Sequence, residues 1–199
     1  MDERKASAIR ETRETKVSVE LVLDGTGQYT VDTGNGFFDH LLSQLSRHSL
    51  IDLTVKATGD AAQTGWHRTV EDVSIAVGRA LSEAIGKGRG IVRMGHALVP
   101  FDETLAQVAV DLSGRAYAVV ETAIYGEMVE SLPSDLIRHS LEAMAIEGKF
   151  NLNARILSGQ NSHHKAEALF KAFARALKDA ISIDPRQGDS VPSTKGTIS

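Results

Sequence analysis

The stretch Gly159–Leu177, GQNSHHKAEALFKAFARAL, decides the fold because it combines a helix start, two adjacent histidines and an apolar stripe. Asn161 or Ser162 can cap a helix that begins here. Apolar residues then recur at three- and four-residue steps, which is typical of one buried helical face: Ala166, Leu169, Phe170, Phe173, Ala174 and Leu177. We therefore predict an amphipathic helix whose first turns carry ionisable side chains.

The polar side chains at this helix start have the spacing of metal ligands. His163 and Glu167 are four residues apart and His164 and Glu167 three apart, so all three project toward neighbouring points. The two histidines point about 100° apart around the helix, so they serve two cations more naturally than they chelate one. Lys171 continues the line of His163 and Glu167. A polar helix start without a ligand role is the alternative, and one HHxxE pattern does not decide between them.

A second copy of the pattern lies earlier in the chain. Leu53–Leu81 matches Leu152–Leu177, each with an apolar strand, a glycine-bearing loop and a helix that opens on His and, four residues later, Glu. In the first copy these are His67 and Glu71.

The helix before this one is duplicated as well. FFDHLL around His40 parallels LIRHSL around His139. A duplication that keeps one histidine on the first helix and a His-x-x-x-Glu on the second favours metal ligation over accident.

The stretches Val19–Val31 and Val108–Val120 extend the match, and each is predicted to form two strands joined by a glycine turn. Each half thus reads strand-strand-helix-strand-helix. The predicted fold class is α+β, with strands and helices from an internal duplication. We predict a single domain over residues 1–199, with repeats at about 14–90 and 91–184 and a tail at 185–199.

Composition narrows the functional class. The 199 residues carry a net charge of −4 and a pI of about 6.0, with dispersed basic residues, which argues against nucleic-acid binding. The chain has no cysteine, so any metal must be held by histidine and carboxylate. No apolar run approaches the ~18 residues of a membrane span, and the N-terminus MDERKASAIRETRETK is charged rather than signal-like. We expect a soluble, cytoplasmic protein that does not bind membranes.

The predicted helix Phe37–His48 has a polar stripe besides its buried face. His40, Gln44 and His48 recur every four residues. A lone histidine is more often structural, but three polar residues in register, two of them imidazoles, favour a site.

Several other residues are weaker candidates on spacing alone. Glu14 lies directly before the first predicted strand, near the end of the polar segment Arg4–Lys16, which is predicted to be a flexible lead-in. A solvated charge is the favoured interpretation of Glu14. The loop Gly86–Gly90 lacks the phosphate-binding fingerprints and reads as a plain connection, so Arg93 is the better anion contact. Arg115, in the turn SGRAY, fits either solvent or a ligand.

The tail DPRQGDSVPSTKGTIS contains Ser193 and Lys195. Polar tails of this kind are usually disordered. A cluster of hydroxyls and lysine is equally suited to fold onto an anionic ligand.

Ten motifs, in this order, resemble the imidazoleglycerol-phosphate dehydratase family over roughly Glu14–Ile198: LDGTG, GFFDHLLSQLSRH, GD, TVEDVSIAVGRAL, GIVRMG, PFDETL, VDLSGRAY, GQNSHHKAEALFKAFARAL, DPR and PSTKG. The resemblance implies a duplicated α+β fold with two stacked mixed sheets and helices (ribosomal protein S5 domain 2-like). It also implies a homo-oligomer of 24 subunits built from trimers. It implies a site between subunits with two Mn²⁺ ions per subunit.

The family's residues carry over position by position. The implied metal ligands are His40, His67, Glu71, His139, His163, His164 and Glu167. The implied substrate contacts are Glu14, Arg93, Arg115, Lys171, Ser193 and Lys195, to which we add His40, Gln44, His48, His67 and His163. The predicted catalytic residues are Glu14, Glu71, Glu167 and Lys171.

One position departs from the family pattern. The family has an adjacent histidine pair before TVED, whereas this chain has His67-Arg68. A guanidinium remains protonated and has no lone pair for a metal. The Arg68 side chain is expected either to lie toward an anion or to turn out to solvent, and one cation is therefore in doubt.

The implied reaction is the dehydration of D-erythro-imidazole glycerol phosphate to imidazole acetol phosphate in histidine biosynthesis, catalysed by a carbon-oxygen hydro-lyase. One alternative is a catalytically impaired homologue that keeps the fold and assembly but has the altered motif at Arg68. A different metal-dependent hydrolase or lyase on the same scaffold is the other.

Overall fold

The fold is described from a computed structural model that covers residues 4–59 and 61–198, without the side chains of residues 62 and 63. Three parts of the sequence-based expectations lie outside these residues: Met1–Glu3 of the charged N-terminus, Asp60 of the loop before His67, and Ser199 of the tail. The first half contains β1 (Lys5–Glu11), β2 (Thr15–Val22), β3 (Tyr29–Asp32), α1 (Gly36–Ser49), β4 (Asp52–Gly59), α2 (Ala61–Thr64) and α3 (His67–Ile85). The second half contains β5 (Met94–Phe101), β6 (Thr104–Asp111), β7 (Tyr117–Glu121), β8 (Met128–Val129), β9 (Leu132–Pro133), α4 (Asp135–Glu147), β10 (Asn151–Ser158) and α5 (Ser162–Ile181).

The two halves build equivalent four-stranded mixed sheets. Their strand orders are β1-β2-β4-β3 and β5-β6-β10-β7. In each sheet only the last pair is parallel, β3 with β4 and β7 with β10. The predicted α+β class and internal duplication are therefore confirmed.

The chain before Glu14 forms β1, so the prediction of a polar lead-in at Arg4–Lys16 was wrong. β1 pairs antiparallel with β2 from Lys5↔Val22 to Glu11↔Lys16. It is an edge strand with no fully buried side chain, since exposed and half-buried residues alternate along KASAIRE. Such edges tolerate charged residues, which is why the hydrophobic pattern gave no signal.

The predicted pairing of the strands around each glycine turn was also wrong. β2 and β3 do not pair with each other, because β4 lies between them, and β10 likewise lies between β6 and β7. The true hairpins are β1–β2 and β5–β6. Apart from α2 in the first half and the short strands β8 and β9 in the second, each half therefore reads strand-strand-strand-helix-strand-helix. Pro100–Glu103 lies in the β5–β6 hairpin.

Helices from the two halves pack on each other. α3 covers β1 and β2, and α5 covers β5 and β6, while α1 packs against α5 and α3 against α4. The α3–α4 approach requires a glycine, since a Cβ at Gly78 would lie 2.7 Å from the carbonyl oxygen of Met144. One apolar core spans both halves and holds them against each other. It places residues of α1 beside α5 and residues of α4 beside α3.

The tail folds back on the glycine-rich loop. Gly90 donates its backbone N–H to Ser190, and the Arg89 guanidinium lies 2.9 Å from the Asp189 carboxylate. Ile198 packs against the core next to Gly88. The structure therefore does not agree with the expectation that the tail is disordered. Among the described residues, no helix has the length and apolar character that a membrane span needs.

Candidate metal centre and active site

The N-terminus of α5 is fixed by Asn161. Its side-chain oxygen accepts the backbone N–H groups of His163 and His164 at 2.8 and 3.2 Å. This confirms Asn161 rather than Ser162 as the cap. The capped first turn presents His163 to α1 of the other half and His164 to the β5–β6 turn of its own half.

The first cluster joins α5 to α1. His40 Nε2 and His163 Nε2 lie 2.8 and 3.2 Å from Glu167 Oε2. Lys171, one turn further along α5, donates to Glu167 Oε1 at 2.6 Å, and its ammonium lies 4.2 Å from the centre of the Phe101 ring. The spacing of four residues thus aligns an imidazole, a carboxylate and an ammonium as predicted.

The charge of Glu167 is set by these contacts. Burial alone would raise the pKa of Glu167, but hydrogen bonds from Lys171 and His40 outweigh it and lower the pKa from 4.5 to about 2. The side chain is only 8% exposed. Glu167 is therefore a buried carboxylate that stays ionised at neutral pH, as a metal ligand must.

The second cluster joins α3 to α4. His67 and His139 stack with ring centroids 4.8 Å apart, and Glu71 Oε1 lies 3.4 Å from His139 Nε2. That nitrogen is buried and has no hydrogen-bond partner among the described residues. A buried imidazole nitrogen without a partner is costly unless something else satisfies it.

The two clusters are related by the duplication. His40 corresponds to His139, His67 to His163, and Glu71 to Glu167. Each cluster combines the first-helix histidine of one half with the His-x-x-x-Glu of the other. In each cluster, one potential donor atom from each residue lies within 4.8 Å of the others.

The donor sets fit a divalent cation. Imidazole and carboxylate without sulfur suit manganese, zinc or iron. The unpartnered His139 nitrogen in one triad and the ionised Glu167 in the other each supply an electron pair. We call these the α1–α5 triad (His40, His163, Glu167) and the α3–α4 triad (His67, Glu71, His139).

The predicted stripe on α1 lies beside the α1–α5 triad. His48 Nε2 and Gln44 Oε1 are 3.1 Å apart. Burial, followed by the nearby charges of Lys171 and Arg175, lowers the pKa of His48. A neutral imidazole and an amide beside Lys171 form a polar wall suited to hydrogen-bond a ligand.

His164 belongs to neither triad. Its Nδ1 lies 2.7 Å from Glu103 Oε2, and its ring meets Phe101 edge-on. A role for His164 as a metal ligand stays a prediction.

Arg68 contacts the carboxylate of Glu14. Arg68 Nε lies 2.9 Å from Glu14 Oε2, and both side chains are 42% exposed. The guanidinium therefore pairs with a carboxylate of its own half and stays partly exposed to solvent, and whether it lies across the metal site stays a prediction.

The predicted anion contacts gather at one end of the second sheet. Arg93, with φ of 77°, binds both carboxylate oxygens of Asp111 and donates to the carbonyl of Pro192, next to Ser193. Leu112 donates its N–H to the Arg93 carbonyl, which brings the turn with exposed Arg115 alongside. Lys195 is exposed, and its backbone N–H donates to the Ser193 hydroxyl.

Two site residues escaped the sequence analysis. Glu103 contacts His164, and Glu130, at the turn between β8 and β9, lies 3.2 Å from His163 Nδ1. Both sit on hairpins remote in sequence from α5, so no helical spacing signals them. The PFDETL motif contained Glu103, but nothing in it indicated a histidine partner.

Comparisons with known proteins agree with this geometry. A family model described as imidazoleglycerol-phosphate dehydratase matches residues 33–177. The chain is 54% identical over 198 residues to the imidazoleglycerol-phosphate dehydratase of Dehalococcoides mccartyi strain CBDB1, covering 100% of this chain and 99% of the relative. It is 50% identical to that of Dinoroseobacter shibae over 195 residues, 98% of this chain and 100% of the relative. The crystal structure of the Staphylococcus aureus enzyme is similar with a TM-score of 0.81 and 32% identity, covering 90% of this chain and 99% of that one.

Proposed function

We propose that the two histidine–glutamate triads carry the reaction of the imidazoleglycerol-phosphate dehydratase family, to which the chain belongs. The protein is then a hydro-lyase of histidine biosynthesis that converts imidazole glycerol phosphate to imidazole acetol phosphate. The observation that carries the proposal is the pairing of each first-helix histidine with the His-x-x-x-Glu of the opposite half. Family membership supplies the substrate, and the triads supply a place for its chemistry.

We assign one Mn²⁺ to each triad, and His164 to a cation as a further ligand. A bound divalent cation supplies Lewis acidity and orients substrate oxygen and nitrogen atoms. The support is chemical: both triads offer imidazole and carboxylate, and the chain has no cysteine. Manganese is the family's metal as the resemblance implies it.

The chain's own residues bind and orient the substrate and move the proton. We place the phosphate on Arg93, Arg115, Ser193 and Lys195, because these cations and hydroxyls converge at one end of the second sheet. Lys171 keeps Glu167 ionised. Glu14 or Glu167 is assigned to take the carbon-bound proton, a step that needs a positioned base. Gln44 and His48 are assigned to contact the substrate from α1.

Assembly into 24 subunits built from trimers completes the proposal. The family resemblance supplies the number of subunits, and the site supports only that subunits share it, because His164 belongs to neither triad of one chain. A partner subunit would bring its residues to the missing positions. A cytoplasmic location remains a prediction from the sequence.

The specific observation that favours a second candidate function is Arg68. A guanidinium cannot replace an imidazole ligand, and here it is paired with Glu14, one of the two assigned bases. An impaired homologue would bind metal or ligand without turnover. The retained phosphate-binding residues argue against a different hydrolase or lyase.

One experiment tests these alternatives. Loss of imidazole glycerol phosphate is measured with added Mn²⁺, and bound metal is counted per subunit. Manganese-dependent turnover is expected for the dehydratase. Metal binding without turnover would establish the impaired homologue instead.

A further inference from the structure

Glu103 makes contacts that no part of the proposed function uses. Its Oε1 accepts the backbone N–H groups of Gln160 and Asn161 at 3.0 and 2.9 Å, and its Oε2 faces His164 Nδ1 at 2.7 Å. One carboxylate thus binds both the start of α5 and one of its two histidines.

The approach of the two segments is built into the backbone. Gly159 has φ of 133°, and a Cβ there would lie 2.3 Å from the Thr104 hydroxyl oxygen. The chain before α5 is therefore held directly against the β5–β6 turn that carries Glu103.

The contact determines which ring nitrogen of His164 carries the proton. The Glu103 carboxylate is ionised at neutral pH, as an ordinary glutamate is, and it accepts two backbone N–H groups, so toward His164 it can only accept. Nδ1 must then be the protonated nitrogen, which leaves the lone pair of the neutral ring on Nε2. Asp102 Oδ2, at 3.6 Å, is beyond hydrogen-bonding distance of Nε2.

The first half repeats the arrangement independently. Glu14, in the β1–β2 turn, corresponds to Glu103 in the β5–β6 turn, and it binds Arg68, which corresponds to His164. In both halves, a hairpin carboxylate therefore reaches the residue that directly follows the first histidine of the ligand-bearing helix.

We propose that Glu103 is a positioning residue that accepts the Nδ1 proton of His164 and so directs the Nε2 lone pair to a divalent cation. This rests on the proposed function insofar as His164 binds the metal. Carboxylates that hold a ligand histidine in this way typically contribute about 10- to 100-fold to metal affinity.

Two substitutions separate positioning from simple support of α5. Glu103→Gln keeps a carbonyl oxygen for the backbone N–H groups but turns an NH₂ donor toward Nδ1, which favours the wrong tautomer. Glu103→Ala removes both contacts and imposes no tautomer. Glu147→Gln, which removes the charge of a carboxylate that lies 2.7 Å from Arg79 on another helix, is the matched control.

The first measurement does not depend on metal. Solid-state ¹⁵N spectra of histidine-labelled, metal-free protein are recorded at a pH well above the ordinary histidine pKa, and His164 is assigned by its loss in His164→Ala. We expect protonated Nδ1 in the parent and in Glu147→Gln, and protonated Nε2 in Glu103→Gln. The same tautomer in the parent and in Glu103→Gln would overturn the proposal.

The second measurement is the dissociation constant for Mn²⁺ by chelator competition, with thermal melting alongside. Affinity for Mn²⁺ should be highest in the parent, lower in Glu103→Ala and lowest in Glu103→Gln, which should bind roughly 10- to 100-fold more weakly than the parent. The melting temperature should be lowest for Glu103→Ala. If Glu103→Ala is lowest in both, Glu103 only supports the helix. A parent that binds no Mn²⁺ would overturn the proposed function, and the spectra would still decide the tautomer.

Discussion

The Arg68 guanidinium lies 2.9 Å from the carboxylate of Glu14, on the β1–β2 turn of the same half. The ion pair is half exposed, so it contributes about 0–1 kcal/mol to folding. Its importance is chemical, because it places a cation without a lone pair where the second half has His164.

Replacing Arg68 by His should therefore supply an imidazole at little cost to stability. We expect Mn²⁺ bound per subunit to rise toward two, and dehydratase activity to rise with it, because a fixed positive charge no longer opposes a nearby cation. Metal counting and substrate consumption measure both. Arg79→His, on the exposed side of the same helix, is the control. A parent that already binds two ions and gains nothing would show that another group serves as the ligand.

The Lys171–Glu167 contact predicts the acid stability of the metal-free protein. The folded pKa of about 2 lies below the ordinary 4.5, so the unfolded chain binds the proton more tightly. The contribution, at most about 3 kcal/mol, is present above pH 4.5 and is lost as the pH falls toward 2. Lys171→Met should flatten this dependence, whereas Lys178→Met, exposed on the same helix, should not. Urea unfolding at a series of pH values tests it, and parallel curves for parent and Lys171→Met would refute it.

The residues assigned to the phosphate predict a change in inhibition by inorganic phosphate. Arg115→Ala and Lys195→Ala should weaken substrate binding mainly through the phosphate, so both variants should be less sensitive than the parent to inhibition by inorganic phosphate. Lys178→Ala is the control. Equal inhibition of all four proteins would place the phosphate elsewhere.

Sequence patterns predicted the parts of this fold that repeat locally. The helical spacing of His163, Glu167 and Lys171 and the cap at Asn161 follow from contacts within a few residues. The duplication, visible in the sequence itself, identifies His40 and His139 as equivalent positions of the two halves.

Contacts between segments that are distant in sequence could not be predicted from these local patterns. β1 has no fully buried residue, and the insertion of β4 between β2 and β3 depends on sheet topology rather than on the turn chemistry around Gly25 and Gly27. Glu103 was missed for the same reason, since its partner lies 61 residues away. The residues of each triad were predicted as ligands, but their division into two cross-half groups required the packing of α1 on α5 and α3 on α4.

His164→Ala should lower both bound Mn²⁺ and thermal stability. A cation that binds only the folded protein stabilises it by mass action, about 2.7 kcal/mol at a hundredfold excess over the dissociation constant. Chelation should therefore lower the parent's melting temperature more than the variant's. If chelation leaves the parent's melting temperature unchanged, the predicted stabilisation of the folded protein by the bound cation is wrong.

The most direct test of the two-triad site is Mn²⁺ binding and dehydration by His40→Ala and His139→Ala, compared with the parent. We expect each substitution to weaken one class of cation, that of its own triad, to leave the other class unchanged, and to reduce turnover of imidazole glycerol phosphate by orders of magnitude. Unchanged metal binding and unchanged turnover in both variants would contradict the account.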